Sequence, residues 1–146
     1  MSNELNEGQV KLTRSEEREQ AFMLLFSKSF DDEPLEATIE DNAEMYEGGV
    51  CGYAQAVVSG IEDKIDDIDA IIKKYLKKGW SISRISKPSL AVLRLAIYEI
   101  TYLSSIPQSV SINEAVELAK KYTIDESKFV NGILGSYSRD LAEQEQ

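Results

Sequence analysis

The residues that most often carry catalysis or bind metal ions are scarce in this chain. It has no histidine and a single cysteine, Cys51. This composition removes the commonest general base and leaves too few donors for a structural zinc ion. Carboxylates are abundant, but none has the spacing of a metal site, and Glu99 stands in a nearly apolar segment with no second acid or base nearby. We therefore predict no catalytic residue, no metal site and no cofactor, and we interpret Glu99 as making a structural hydrogen bond or a protein contact.

The charge of the chain is unevenly distributed. The net charge is −10, and residues 1–49 carry four basic against thirteen acidic residues. Residues 50–79 carry five of each, and residues 80–146 carry seven basic against eight acidic residues. The total argues against a simple polyanion-binding protein. A locally basic surface remains open in the last two thirds of the chain.

Other features of the composition indicate a soluble protein. The 146 residues and their 42% hydrophobic content suit one domain, or two small halves that share a core. A lone cysteine suits a reducing compartment. The N-terminus lacks the apolar segment of a signal peptide, and no apolar run approaches the roughly 20 residues of a membrane span. We expect a cytoplasmic protein that does not contact a membrane.

Helical periodicity runs through the whole chain and predicts an all-α fold of about seven helices. Thr13 and Glu16 form a capping box that begins the first helix. A long apolar stripe follows from about Val50 to Lys78, with Gly60 or the Asp66–Asp67 pair as the predicted break. After Ser86 comes a helix that is apolar nearly all round, which is typical of a central, buried helix.

The C-terminal third contains two further predicted helix starts and one contradiction. The segment SINE, Ser111 to Glu114, is interpreted as a second capping box, and Asp125 as the N-cap of a final helix that ends near Leu141. Asn131-Gly132 is a turn signal, yet the apolar residues around it recur at helical steps. We therefore predict that Gly132 lies where two elements approach too closely for a side chain.

Four segments, in this order and spacing, resemble the NusB family of bacterial transcription antitermination factors. They are REQAFMLLF (Arg18 to Phe26), AVLRLAIYEI (Ala91 to Ile100), SINEAVELAKKY (Ser111 to Tyr122) and KFVNGILG (Lys128 to Gly135). The resemblance implies an all-α NusB-like fold of two packed helical bundles, about residues 13–79 and 80–141. Residues 1–12 and 142–146 would be tails.

The resemblance also implies a function. It implies a non-enzymatic factor that, with the ribosomal protein NusE, binds the boxA element of single-stranded RNA. The pair would join RNA polymerase and other Nus factors and promote read-through in ribosomal RNA operons. Some family members pair with themselves, and the sequence leaves a homodimer open. The alternative is a protein–protein adaptor of the transcription complex with little RNA affinity of its own, which the acidic N-terminal third favours.

In the first helix, the resemblance implies RNA-binding roles for Arg14 and Arg18 near its start and for Phe26 at the end of the REQAFMLLF segment. Arg14 and Arg18 are one helical turn apart and share a face, which suits contacts with a phosphate backbone. The alternative without an RNA contact is that both arginines form ion pairs with neighbouring glutamates on a solvent-exposed face of the helix. Phe26 lies on an apolar stripe, and the residues alone favour a place in the core for it.

At the start of the last helix, the resemblance implies RNA-binding roles for Lys128, Phe129 and Asn131. Phe129 lies off the main apolar stripe, which favours a half-buried stacking position, and Lys128 beside it could contact a phosphate. Asn131 could bond a base edge or a phosphate, or it could satisfy a nearby loop inside the protein.

Overall fold

The computed structural model describes residues 11–145, so most of the predicted N-terminal tail, residues 1–10, and Gln146 lie outside it. Regular structure in the described residues is entirely helical, which confirms the all-α prediction of about seven helices. None of these helices is both long and apolar enough to cross a membrane. The elements are α1 (Arg14–Lys28), α2 (Leu35–Ala43), α3 (Gly52–Asp63), α4 (Ile65–Lys74), a 3₁₀ turn (Ile82–Arg84), α5 (Lys87–Tyr102), α6 (Gln108–Tyr122) and α7 (Ser127–Gln144).

The chain forms two compact units whose boundary falls between Ser59 and Gly60, within α3. In the first unit α1 packs against α2. In the second unit α5, α6 and α7 pack against one another, and α4 packs against α5 and the 3₁₀ turn. Because α4 finds its packing partner in α5, the boundary lies about twenty residues before the predicted one at residue 79.

The helix starts at Thr13 and Ser86 follow the predicted local chemistry. The Glu16 backbone N–H donates to Thr13 Oγ1 at 3.1 Å, and the Thr13 N–H donates to Glu16 Oε1 at 2.8 Å. This reciprocal pair satisfies two amide groups that a helix start otherwise leaves unpaired. At the start of α5 the Ser86 hydroxyl accepts from the Ser89 N–H at 3.3 Å, and Pro88 occupies the first turn.

Two other predicted helix starts are wrong. The helix that contains Ser111 already begins at Gln108, directly after Pro107, whose fixed φ of −59° suits a helix start. Ser111 is therefore an internal, buried residue, and its hydroxyl donates to Glu99 Oε1 at 2.7 Å. This bond confirms the structural interpretation of Glu99. Asp125 has a φ of +58°, and the final helix begins two residues later, at Ser127.

The long apolar stripe breaks at Lys64, between the two predicted points. Gly60 stays inside α3, and a methyl group at Gly60 would overlap the hydroxyl end of Tyr98. At Gly132, by contrast, an added Cβ would have no atom of the described residues within 4 Å apart from its chain neighbours and the adjacent backbone of its own helix. The close approach predicted for Gly132 is therefore wrong, and Gly60 is the glycine at which two elements meet.

The core of the second unit fixes how α7 is oriented. Leu93 and Ile97 on α5 are fully buried, as are Val130 and Leu134 on α7. Ile133 is buried with them. Since residues on a helix advance by about 100° each, Lys128, Asn131 and Gly132 lie on the opposite, exposed side of α7. The start of α7 thus has one face in the core and one face exposed.

Candidate nucleic-acid interface

The three residues predicted at the start of α7 are all at least partly exposed. Lys128 and Asn131 are exposed, and Phe129 is half-buried. Gly132 is exposed on the same face. The start of α7 therefore offers a cation, a side-chain amide and a partly exposed ring, with Phe129 about 160° around the helix from Asn131. These are the groups that contact phosphates and bases in complexes with single-stranded nucleic acids.

Phe129 has an aromatic partner that sequence reasoning missed. Its ring centroid lies 6.2 Å from that of Trp80, with an angle of 36° between the ring planes. The two rings, with Lys77, Lys128 and Gly132, line a groove of about 450 Å³. Trp80 keeps 48% of its surface exposed, which is unusual for so large an apolar side chain. We call this feature the Trp80–Phe129 groove.

One side of the Trp80–Phe129 groove, the side with Lys77 and Trp80, comes from the most basic stretch of the chain. No aspartate or glutamate occurs from Ala70 to Tyr98, whereas that stretch contains seven lysines and arginines. Four of the seven, Lys73, Lys74, Lys77 and Lys78, are exposed around the end of α4. Because the chain as a whole has a net charge of −10, this stretch without acidic residues could have predicted from the sequence that Trp80 and Lys77 lie at a basic surface.

The end of α4 is tied to α7 by Tyr75. Its hydroxyl donates to Asp140 Oδ2 at 2.6 Å, and its ring centroid lies 6.0 Å from that of Tyr137. Burial, together with this hydrogen bond and the carboxylate charge of Asp140, raises the pKa of Tyr75 to about 12. The Tyr75–Asp140 hydrogen bond therefore holds the end of α4, which forms one side of the groove, against α7.

The predicted residues of the first unit are placed differently. Arg14 is exposed, but its guanidinium lies 4.2 Å from the centroid of the Tyr53 ring and 3.1 Å from Glu17 Oε1. Arg18 is buried, with only 4% of its surface exposed. The expectation of a single accessible face that presents both arginines is therefore wrong. The four-residue spacing of Arg14 and Arg18 correctly predicts their positions on the helix, but spacing alone does not predict that other parts of the protein bury Arg18.

Phe26 occupies the middle of an aromatic row on α1. Its centroid lies 5.8 Å from Phe22 in a nearly parallel stack, and 5.0 Å from Phe30 in an edge-on arrangement. Phe22 is fully buried, whereas Phe30 is 61% exposed. Phe26 is half-buried, so the row runs from the core to the surface and Phe26 is partly accessible.

Among residues 11–145, no group of three or more cysteine, aspartate or glutamate side chains is placed to hold a metal ion.

The six predicted residues fall into two sets, with Arg14, Arg18 and Phe26 in the first unit and Lys128, Phe129 and Asn131 in the second. Residues 11–145 thus form an all-helical fold, and the second set places cationic and aromatic side chains at the start of α7.

Comparisons with known proteins give the family. The model of the NusB family matches residues 15–139, and the chain belongs to this family. It is 42% identical over 121 residues to the transcription antitermination protein NusB of Lacticaseibacillus casei, covering 82% of this chain and 90% of the relative. It is 44% identical over 125 residues to the NusB protein of Acetivibrio thermocellus, covering 84% and 86%.

Solved structures agree with this assignment. T. maritima NusB superposes with a TM-score of 0.80 at 39% identity, covering 89% of this chain and 93% of the other. A crystal structure of the antitermination factors NusB and NusE in complex with dsRNA matches with a TM-score of 0.73 at 29% identity. That match covers 84% of this chain and 93% of the other.

Proposed function

We propose that this chain is a transcription antitermination factor that binds boxA-type single-stranded RNA together with NusE. The bound pair would join RNA polymerase and other Nus factors and promote read-through in ribosomal RNA operons. Family membership supports this proposal, as does the likeness to a structure in which NusB and NusE are in complex with dsRNA.

The observation that carries the proposal is the exposed start of α7. Lys128 and Asn131 can reach phosphates or base edges, while Phe129 offers a partly exposed ring for stacking. In the first unit, Arg14 and Phe26 are the accessible members of the predicted set. Arg18 contributes to RNA binding in this proposal through the placement of α1, because its side chain is buried.

The overall charge explains why a partner would be needed. A protein of net charge −10 gains little from long-range attraction to a polyanion. A basic protein partner adds phosphate contacts and the counterion release that drives association. We expect NusE to strengthen RNA binding at least about tenfold, which corresponds to about 1.4 kcal/mol.

A titration tests this proposal. Fluorescently labelled boxA RNA is titrated with the protein, with and without NusE, at several salt concentrations. The expected results are the gain on adding NusE and a negative slope of log affinity on log salt. No gain from NusE would overturn the proposed partnership.

One variant pair locates the contact within the second unit. Lys128→Ala should weaken RNA binding by the complex and reduce its salt slope. Lys120→Ala is the matched control, because Lys120 is also an exposed lysine but lies at the end of α6, where its ammonium contacts Glu117 Oε2 at 3.4 Å. Equal affinities for the two variants would contradict a role for Lys128.

The alternative function is a protein–protein adaptor with little RNA affinity. The favouring observation is Phe30, which is 61% exposed and is followed by Asp31, Asp32 and Glu33. An apolar side chain beside acidic groups suits a basic protein surface. This function predicts that NusE binds tightly while the complex shows no salt-dependent affinity for RNA.

A further inference from the structure

Trp80 is held in a defined position despite its exposure. Its backbone N–H donates to the Lys77 carbonyl at 2.9 Å, which closes a four-residue turn directly after α4. Gly79 occupies the third position of this turn with a φ of +88°, a conformation that glycine adopts without strain. The turn presents the indole toward Phe129 and fixes its backbone in place.

We infer that the Trp80–Phe129 groove is a base-binding subsite for one unpaired nucleotide of the RNA, an inference that rests on the proposed function. The two rings contact each other at a centroid distance of 6.2 Å with a tilt of 36°, and the indole still keeps 48% of its surface exposed. An inserted base would stack on the half-exposed indole. The groove volume of about 450 Å³ lies within the range of roughly 300–1,000 Å³ seen for small-ligand sites.

The charge around the groove selects RNA as its occupant. Lys77 and Lys128 line the groove with exposed ammonium groups, and Lys78 is exposed beside them in the turn. These charges would attract the phosphates that flank an inserted base and would repel a basic protein. A nucleotide therefore matches both parts of the site, the aromatic rings and the cations.

Gly132 gains an explanation from this subsite. A glycine inside a helix costs about 1 kcal/mol relative to alanine, and no close approach of the described residues requires one here. Gly132 lines the groove, so any large side chain at this position would project into the space beside Phe129. The glycine keeps the groove open.

The fluorescence of Trp80 provides a direct test, since it is the only tryptophan in the chain. The protein–NusE complex is titrated with boxA RNA, and the same titration with Trp80→Phe serves as the blank. Stacking of a base on the indole should quench the Trp80 emission in step with RNA binding. Unchanged emission at saturating RNA would overturn the inference.

Affinity measurements test the same subsite by a second route. Trp80→Ala should weaken RNA binding by about tenfold, and Trp80→Phe should retain most of the affinity, because stacking needs a ring rather than an indole. Tyr102→Ala is the control, since it removes another exposed aromatic ring from the second unit. A loss with Tyr102→Ala as large as with Trp80→Ala would point to a general effect and overturn the inference.

Substitutions at Gly132 test whether RNA binding needs the open space of the groove, in addition to the Trp80 ring. Gly132→Leu should weaken RNA binding by the complex, whereas Gly132→Ala should change it little, because a methyl group leaves most of the groove open. Gly135→Ala controls for helix stabilisation in α7, since its Cβ would meet only Arg139, at 3.6 Å. Wild-type RNA affinity for Gly132→Leu would contradict an occupied groove.

The outcomes also separate this inference from the proposed function. If the wild-type complex binds boxA RNA and Trp80→Ala binds it equally well, the subsite is wrong and the proposed function stands. If the wild-type complex does not bind this RNA, both are wrong. If Trp80→Ala weakens NusE binding in the absence of RNA, the groove is a protein contact and the inference is overturned.

Discussion

Helix α1 and the start of α7 carry similar residue types but use them differently. On α1, Arg18 is buried, Arg14 lies against Tyr53 and Glu17, and Phe26 stacks between two other phenylalanines. On α7, Lys128 and Asn131 are exposed. The α1 set is largely engaged in contacts within its own unit, whereas the α7 set remains available to a ligand.

The difference shows that residue type and helical spacing do not determine availability. Arg14 and Arg18 are spaced to share a face, as predicted, but burial removes one of them from solvent. Lys128 and Asn131 remain exposed because Val130 and Leu134, beside them in sequence, occupy the core. The neighbours of a candidate residue therefore decide its role.

The largest expected effect concerns the buried arginine. Arg18→Ala should lower the free energy of unfolding by roughly 2–3 kcal/mol, since it removes a charged hydrogen-bonding group from a buried site. Lys128→Ala should stay within about 0.5 kcal/mol of wild type, as exposed substitutions usually do. Urea denaturation followed by circular dichroism measures both. An Arg18→Ala variant with wild-type stability and weakened RNA binding would contradict this prediction, because it would show that Arg18 on α1 acts in RNA binding and not in folding.

The next effect concerns Gly60, at which two elements meet. Gly60→Ala should lower the free energy of unfolding by roughly 1–3 kcal/mol, because the new methyl group displaces the Tyr98 ring. The cost should shrink in a Tyr98→Ala background, where the obstacle is gone. A double-mutant cycle measures this coupling, and additive effects would show that the contact does not limit the site.

A smaller effect of opposite sign is expected on the exposed face of α7. Gly132→Ala should raise the free energy of unfolding by up to about 1 kcal/mol, since the space around Gly132 is open and alanine is the better helix former. Thermal and urea denaturation measure the change. Destabilisation would mean that a close contact exists at Gly132 after all.

The last effect is a pH dependence from Tyr75, which is absent at neutral pH and appears only above about pH 10. Its pKa is raised to about 12 in the folded protein, above the usual value of 10, so its stabilising contribution is complete below pH 10. That contribution is lost as the pH rises toward 12, because the unfolded chain ionises first. Tyr75→Phe should therefore lose less stability than wild type between pH 10 and pH 12. Parallel losses in urea midpoints across this range would contradict the Tyr75–Asp140 contact.

The helical content of the protein could be predicted because it depends on local interactions. The capping box of Thr13 and Glu16 satisfies amide groups three residues apart, so the sequence alone contains both partners. The apolar period around Asn131 and Gly132 likewise predicts a helix correctly against a turn signal, because burying one face of α7 outweighs the propensity cost.

Several of the failures involve contacts between different segments of the chain. Ser111 has the pattern of a cap, yet its hydroxyl bonds Glu99 on the preceding helix. Gly60 and Gly132 are both glycines within helices, and only the position of Tyr98 tells them apart. Trp80 and Phe129 are 49 residues apart in sequence, and no local pattern pairs them.

The sequence by itself therefore determined the helices, the acidic N-terminal third and the resemblance to the NusB family, since periodicity, charge and motif order are properties of the chain. The tertiary structure alone decided that Arg18 is buried and that Trp80 joins Phe129 in a groove lined by lysines. The physical reason is that burial and ring contacts depend on which faces of different helices pack together.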